Sequence, residues 1–135
     1  MKVSELRIGN LVKHASSGKT CIVEGIYESG IMTSFLSEKG SATGGIQFFE
    51  PIKITEEWLE RFGFDGNYGG NSDYFNFIRK KELGNSFGDF SISHYDSTQW
   101  NVWRGDRYCG IFKLEFVHEL QNLFFVFNQV ELQLK

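Results

Sequence analysis

Phe116, Val117, Leu120, Leu123, Phe124 and Phe127 fall at offsets of 1, 4, 7, 8 and 11. That spacing is the apolar stripe of an amphipathic helix, and it predicts one over Phe116–Asn128. The next residues, Val130-Glu131-Leu132-Gln133-Leu134, alternate strictly. Alternation is the period of a half-buried strand, so the tail is expected to close a sheet. A helix feeding a closing strand needs a core to pack against. Aromatic residues make up 16% of the chain, with 14 phenylalanines, and supply that core without a disulfide or a metal. Each buried phenylalanine contributes about 2 kcal/mol from area removed from water.

The N-terminal third is organised differently. Residues 10–14, 21–27, 31–36 and 46–49 read as short strands, separated by Gly/Ser-rich turns, with a loop expected over 37–45. This pattern suggests a small SH3-like β-barrel or a curled antiparallel sheet over residues 1–54. The only proline, Pro51, marks its exit. Residues 55–64 form a compact connecting helix. Thr55 is its N-cap, Glu56 and Glu57 favour the positive end of the dipole, and Gly63 stops it. Trp58, Leu59 and Phe62 are its buried face. Residues 65–73 read as a flexible loop. Strand-like segments at 74–78, 90–95, 100–103 and 108–112 then build a second antiparallel sheet. The expected arrangement over 74–135 is that sheet packed by the C-terminal helix. The class is α+β.

At 135 residues the chain fits one domain or two small subdomains, and its formal charge of −3 argues against a general phosphate-backbone binder. A local patch of Lys13, Lys19, Arg79, Lys80 and Lys81 is the only basic cluster to which nucleic acid could bind, and weakly. Cys21 and Cys109 stand far apart and read as small hydrophobes in a reducing compartment. No export signal opens the sequence, and no run reaches the about 18 apolar residues of a membrane span, so a cytoplasmic protein without membrane contact is expected.

Chemistry-bearing motifs are sparse. His118-Glu119 begins an H-E-x-x-H lookalike, but Asn122 stands where the second histidine belongs. Zinc needs both imidazoles one helical turn apart, so neither a metal nor a cofactor is expected. His118 and Glu119 then simply flank the apolar stripe. Arg104-Gly105-Asp106 spells an adhesion tripeptide, yet a turn between two strands selects Gly and Asp on steric grounds. Neither glycine-rich stretch matches a phosphate loop. No nucleophile elbow occurs, and hydrolysis would need His14, His94 or His118 to meet a carboxylate in space; no catalytic residue is assigned.

One surface remains. With Trp100 and Val102 facing inward on their strand, Asn101 and Trp103 face outward, followed by Arg104 and, across the turn, Tyr108. Either this sheet is covered on both faces and Trp103 is core, which is the commoner arrangement, or Trp103, Arg104 and Tyr108 form a contact surface. Such residues suit a protein partner or a stacked base.

Three segments, Glu5-Leu6-Arg7-Ile8-Gly9-Asn10-Leu11-Val12, residues 52–64 with Thr55-Glu56-Glu57-Trp58-Leu59, and Val117-His118-Glu119-Leu120-Gln121-Asn122-Leu123-Phe124-Phe125, resemble a family of small uncharacterised proteins of anaerobic gut bacteria and their prophages. The family usually has Gln at the place of Glu119. It has no assigned activity, so the resemblance implies context alone: an intracellular accessory protein of phage or mobile-element origin. The expected function is non-enzymatic binding of a protein partner, one form being inhibition of a host defence protein. The alternatives are a nucleic-acid-associated SH3-like module and, third, a small hydrolase.

Overall fold

The computed structural model describes residues 1–66, 78–80, 90–96 and 98–135. Along the chain run β1 (Leu11–His14), β2 (Thr20–Ile26), β3 (Gly30–Phe35), β4 (Ser41–Gly45), β5 (Phe49–Glu50) and α1 (Glu56–Arg61). Then follow β6 (Asp65–Gly66), β7 (Ile78–Lys80), β8 (Phe90–His94), β9 (Gln99–Arg104), β10 (Arg107–Lys113) and α2 (Val117–Asn128). The chain divides into two units. Residues 1–53 and 116–132 form the first, and residues 54–115 and 133–135 form the second. The fold is α+β, and no helix among the described residues is long and apolar enough to cross a membrane.

In the first unit, five antiparallel strands in the order β4-β3-β2-β1-β5 make a curled half-barrel. A bulge between Val23 and Gly25 interrupts the β2–β3 ladder, a device that bends a strand. Alternate residues point inward, so Val12, Cys21, Val23, Ile31 and Phe49 join Leu6 in one apolar core. Residues 41–45, expected as loop, are instead β4. Glycines are poor strand formers, which hides this strand from a reading by propensity. Their purpose is steric: a Cβ on Gly30 would fall 2.3 Å from the Gly44 carbonyl oxygen, so only glycine allows β3 and β4 to approach there. Residues 46–49, expected as strand, make one tight 3-10 turn at Ile46–Phe48 before β5.

Helix α2 belongs to this first unit and packs on β1. Its stripe is as expected, with Val117, Leu120 and Phe124 buried. The choice of sheet is made by two polar residues beside the stripe. Gln121 accepts from the Leu11 N–H at 2.8 Å and donates to the Gly9 carbonyl at 3.1 Å. Asn122 accepts from Asn10 Nδ2 at 2.9 Å and donates to the Glu5 carbonyl at 2.8 Å. Apolar periodicity carries no address, whereas these hydrogen bonds do. The helix ends at Gln129, a non-glycine residue in the left-handed region at φ +59.

The tail beyond α2 is no strand, contrary to its alternation. Leu132 is buried, but Val130 is exposed, and Glu131 is held by Arg7 Nη2 at 2.6 Å. Alternation makes a strand only where a sheet edge accepts it; here an ion pair and one buried leucine pin the segment.

In the second unit, α1 is capped as its sequence announces. The Trp58 N–H donates to Thr55 Oγ1 at 3.3 Å. At the other end Gly63 takes φ +79, the Gly63 N–H meets Glu60 O, and the Phe64 N–H reaches back to Leu59 O at 3.0 Å. This 6→1 closure buries Leu59, Phe62 and Phe64 together. Trp58 is only half-buried, under the Arg61 guanidinium at 4.1 Å. The sheet runs β10-β9-β8-β7-β6, all antiparallel. Phe90, Ile92, Trp100 and Val102 line its buried face, and Phe64 meets Phe90 edge-on at 6.3 Å. The Trp100 indole N–H donates to Leu114 O at 3.0 Å, which satisfies its one buried polar atom. Most of the loop expected at 65–73, and the strand expected at 74–78 up to Phe77, lie outside the described residues.

Candidate interaction surface

Strict alternation on β9 decides what the second sheet presents. Since Trp100 and Val102 point into the core, Asn101 and Trp103 point to the opposite face. Directly paired residues of antiparallel strands share a face, so the register Tyr108↔Trp103 and Ile111↔Asn101 adds Tyr108 and Ile111. On the other side the register is Ser91↔Trp103 and Ser93↔Asn101, but Ser91 is buried at 2% and Ser93 half-buried, so the face is open toward β10 and not toward β8. The rings of Trp103 and Tyr108 lie 5.4 Å apart, tilted at 43°. The Tyr108 hydroxyl donates to Asn101 Oδ1 at 2.8 Å, and Asn101 Nδ2 faces Ser93 Oγ at 3.5 Å. Tyr108 is 52% exposed and Ile111 46%, while Trp103 is half-buried. The ring held by a hydrogen bond is thus an oriented one, and ordering it on contact costs little.

Arg104 does not join this surface. Its cross-strand partners are Phe90 and Arg107, on the buried-face side of the sheet. A one-residue step along a strand reverses the face, so the expected trio is split into a pair and an outsider. Asn101 and Ile111, which complete the surface, carry no motif. Their signal is parity alone, and it requires knowing the β9–β10 register.

The three histidines lie apart in their surroundings. His14 Nδ1 lies 2.8 Å from Ser17 Oγ, and His94 stacks against Trp100 at 4.7 Å. His118 is buried, 1% exposed, and stacks on Phe116 with ring centroids 5.9 Å apart. Sequence spacing put it beside the stripe as a polar flank; the structure puts it inside, with neither ring nitrogen hydrogen-bonded. Its nearest carboxylate oxygen is Glu5 Oε2 at 3.9 Å from Nε2. Burial pushes the imidazole below its ordinary pKa of 6.5, against the opposing pull of Glu119 and Glu5. Glu119 itself is engaged elsewhere, accepting from the Phe116 N–H at 3.0 Å. Among the described residues no three His, Cys, Asp or Glu side chains gather as a metal site would need. Cys21 is buried, Cys109 half-buried, and both are free thiols.

Two of the five basic candidates are ion-paired. Lys13 Nζ pairs with Glu50 at 3.1 Å, and Lys19 pairs with Glu38 while lying over the Phe35 ring. Arg79 and Lys80 stand on β7, and Lys81 lies outside the described residues.

Two of the three segments that carry the family resemblance meet. Residues 5–12 and 117–125 are joined by the Gln121 and Asn122 hydrogen bonds, and Arg7 stacks over Phe125 at 3.8 Å. Every polar group named in that junction is spent on holding the helix to the sheet. No family model, curated protein or solved structure matches the chain.

Proposed function

We propose that the chain is a non-enzymatic binding protein of phage or mobile-element origin that engages a protein partner through the outer face of β9 and β10. Inhibition of a host defence protein is one specific form. The observation that supports this is the aromatic pair Trp103–Tyr108, its tyrosine held by a hydrogen bond to Asn101, on the face that also carries exposed Ile111. Aromatic residues on a rigid strand are the types that most often dominate interface energetics. The origin rests on the resemblance of the three segments alone. A nucleic-acid role has less support, because Lys13 and Lys19 are already ion-paired.

The test is capture of a partner from a bacterial host lysate by the immobilised protein, comparing wild type with Tyr108→Ala/Ile111→Ser and with Trp103→Ala. The first variant changes exposed side chains and keeps its thermal midpoint; it is expected to lose the partner. Retained capture by both folded variants counts against this surface.

A further inference from the structure

β10 is the end strand of its sheet, and among the described residues no other strand bonds it. The direction of its free backbone groups follows from the ladder. Thr98 accepts from the Leu114 N–H and Gln99 accepts from the Tyr95 N–H, both at 2.8 Å. In an antiparallel sheet successive residues bond to opposite neighbours, so Thr98, Trp100, Val102 and Arg104 bond toward β10, and Gln99, Asn101 and Trp103 toward β8. The β10 residues opposite that second set are Tyr108, Ile111 and Lys113. Their amides and carbonyls therefore turn to the open edge. Their side chains continue the outer face that carries Trp103.

Two cations bracket this edge. Arg107 and Lys113 are both exposed, and neither forms an ion pair among the described residues. The chain is acidic overall, so a strand ending in unpaired cations departs from its average. By contrast, β4, an edge strand of the first sheet, offers polar Ser41 and Thr43 with glycines, and no charge within its span.

We propose that β10 binds an extended, carboxylate-bearing segment of another protein by strand addition. This rests on the proposed binding function and names the kind of partner. The amides of Ile111 and Lys113, and of Tyr108 beyond the bulge, donate to the incoming backbone. Its alternate side chains pack beside Tyr108 and Ile111; an acidic residue at one end meets Lys113 on that outer face, and one at the other end, on the opposite face, meets Arg107. The bulge between Tyr108 and Gly110 confines continuous pairing to Gly110–Lys113.

The experiment uses a fluorescein-labelled six-residue peptide of alternating valine and threonine with a glutamate at each end, so that its ends lie on opposite faces of the strand, and its twin with lysine ends. Anisotropy is expected to show the acidic peptide binding about tenfold tighter, a preference that salt weakens and that Arg107→Glu/Lys113→Glu reverses. Amide exchange read by NMR is expected to slow at Ile111 and Lys113 on binding, with Phe112, whose amide already faces β9, unchanged. Ile111→Pro removes one edge donor and is expected to abolish binding; if it fails to fold, the charge-reversed variant and the exchange pattern still decide. Binding of neither peptide, or binding without protection of Ile111 and Lys113, overturns the proposal. So does a concentration-dependent dimer by sedimentation that the acidic peptide does not dissociate, which would give the edge to a second copy. A captured partner that is lost with Tyr108→Ala/Ile111→Ser yet kept by Arg107→Glu/Lys113→Glu would sink strand addition alone and leave the binding function standing.

Discussion

The Gln121 side-chain carbonyl accepts the backbone N–H of Leu11 at 2.8 Å, joining two residues 110 positions apart in the chain. Both are buried, so nothing but each other satisfies those groups. Gln121→Leu would leave the Leu11 N–H and the Gly9 carbonyl without their partner. The expected cost is about 1–3 kcal/mol for such an orphaned group, read from denaturant unfolding at constant m. An unchanged midpoint would mean that α2 is not held to β1 by this bond.

Leu120 and Phe124 supply the apolar half of the same junction. Leu120→Ala or Phe124→Ala should each cost about 2–5 kcal/mol, from lost transfer energy plus the cavity left behind. Equal thermal midpoints for wild type and both variants would show that the helix does not pack as described.

His118 makes the stability pH-dependent in a definite direction. Its folded-state pKa lies below the ordinary 6.5 because burial penalises the cation. Above that value the imidazole is neutral in both states and the contribution is whole. As pH falls through it, the unfolded chain takes up a proton that the folded one refuses, and stability drops. Protonated His118 would be faced by Glu5, Glu119 and the N-terminal amine, the first two softening the loss and the last adding to it. Thermal midpoints measured from pH 7.5 to 5 should fall less steeply for His118→Phe than for wild type. Parallel curves would show that another group titrates.

Association with generic DNA or RNA should be weak at about 150 mM salt and steeply salt-dependent, since a formal charge of −3 supplies no long-range attraction to phosphate. Submicromolar, sequence-independent affinity by filter binding at that salt would contradict this and restore the nucleic-acid reading.

What the sequence makes legible is local. The caps of α1 are read from Thr55 and Gly63, and the stripe of α2 from six apolar positions, because both depend on neighbours within a turn or two. The inward set on β9 follows from alternation in the same way. The partner of α2 was not legible, since an apolar stripe fits either sheet and the deciding bonds join Gln121 and Asn122 to residues more than a hundred positions away. β4 was hidden because Gly44 and Gly45 lower its strand propensity, while the close backbone approach that seats it is allowed by Gly30 of β3. Trp103 and Tyr108 could be grouped from a turn, whereas Arg104 could be set apart only once the register was known.

Lys53 and Phe116 pair across an isolated bridge, the Val117 N–H donates to Ile52 O at 2.7 Å, and the Ile54 N–H donates to Glu115 O at 3.0 Å. The 62 residues from 54 to 115 therefore leave and re-enter the first unit at one spot. During synthesis, at about 5–20 residues per second, the N-terminal strands emerge early but wait several seconds for α2. Until then Leu6, Leu11 and the backbone of Gly9 have no helix over them. All of residues 54–115 are made before that helix appears, and the last three residues of the second unit, 133–135, follow it. The strands made first therefore wait for their helix across the whole of that insertion.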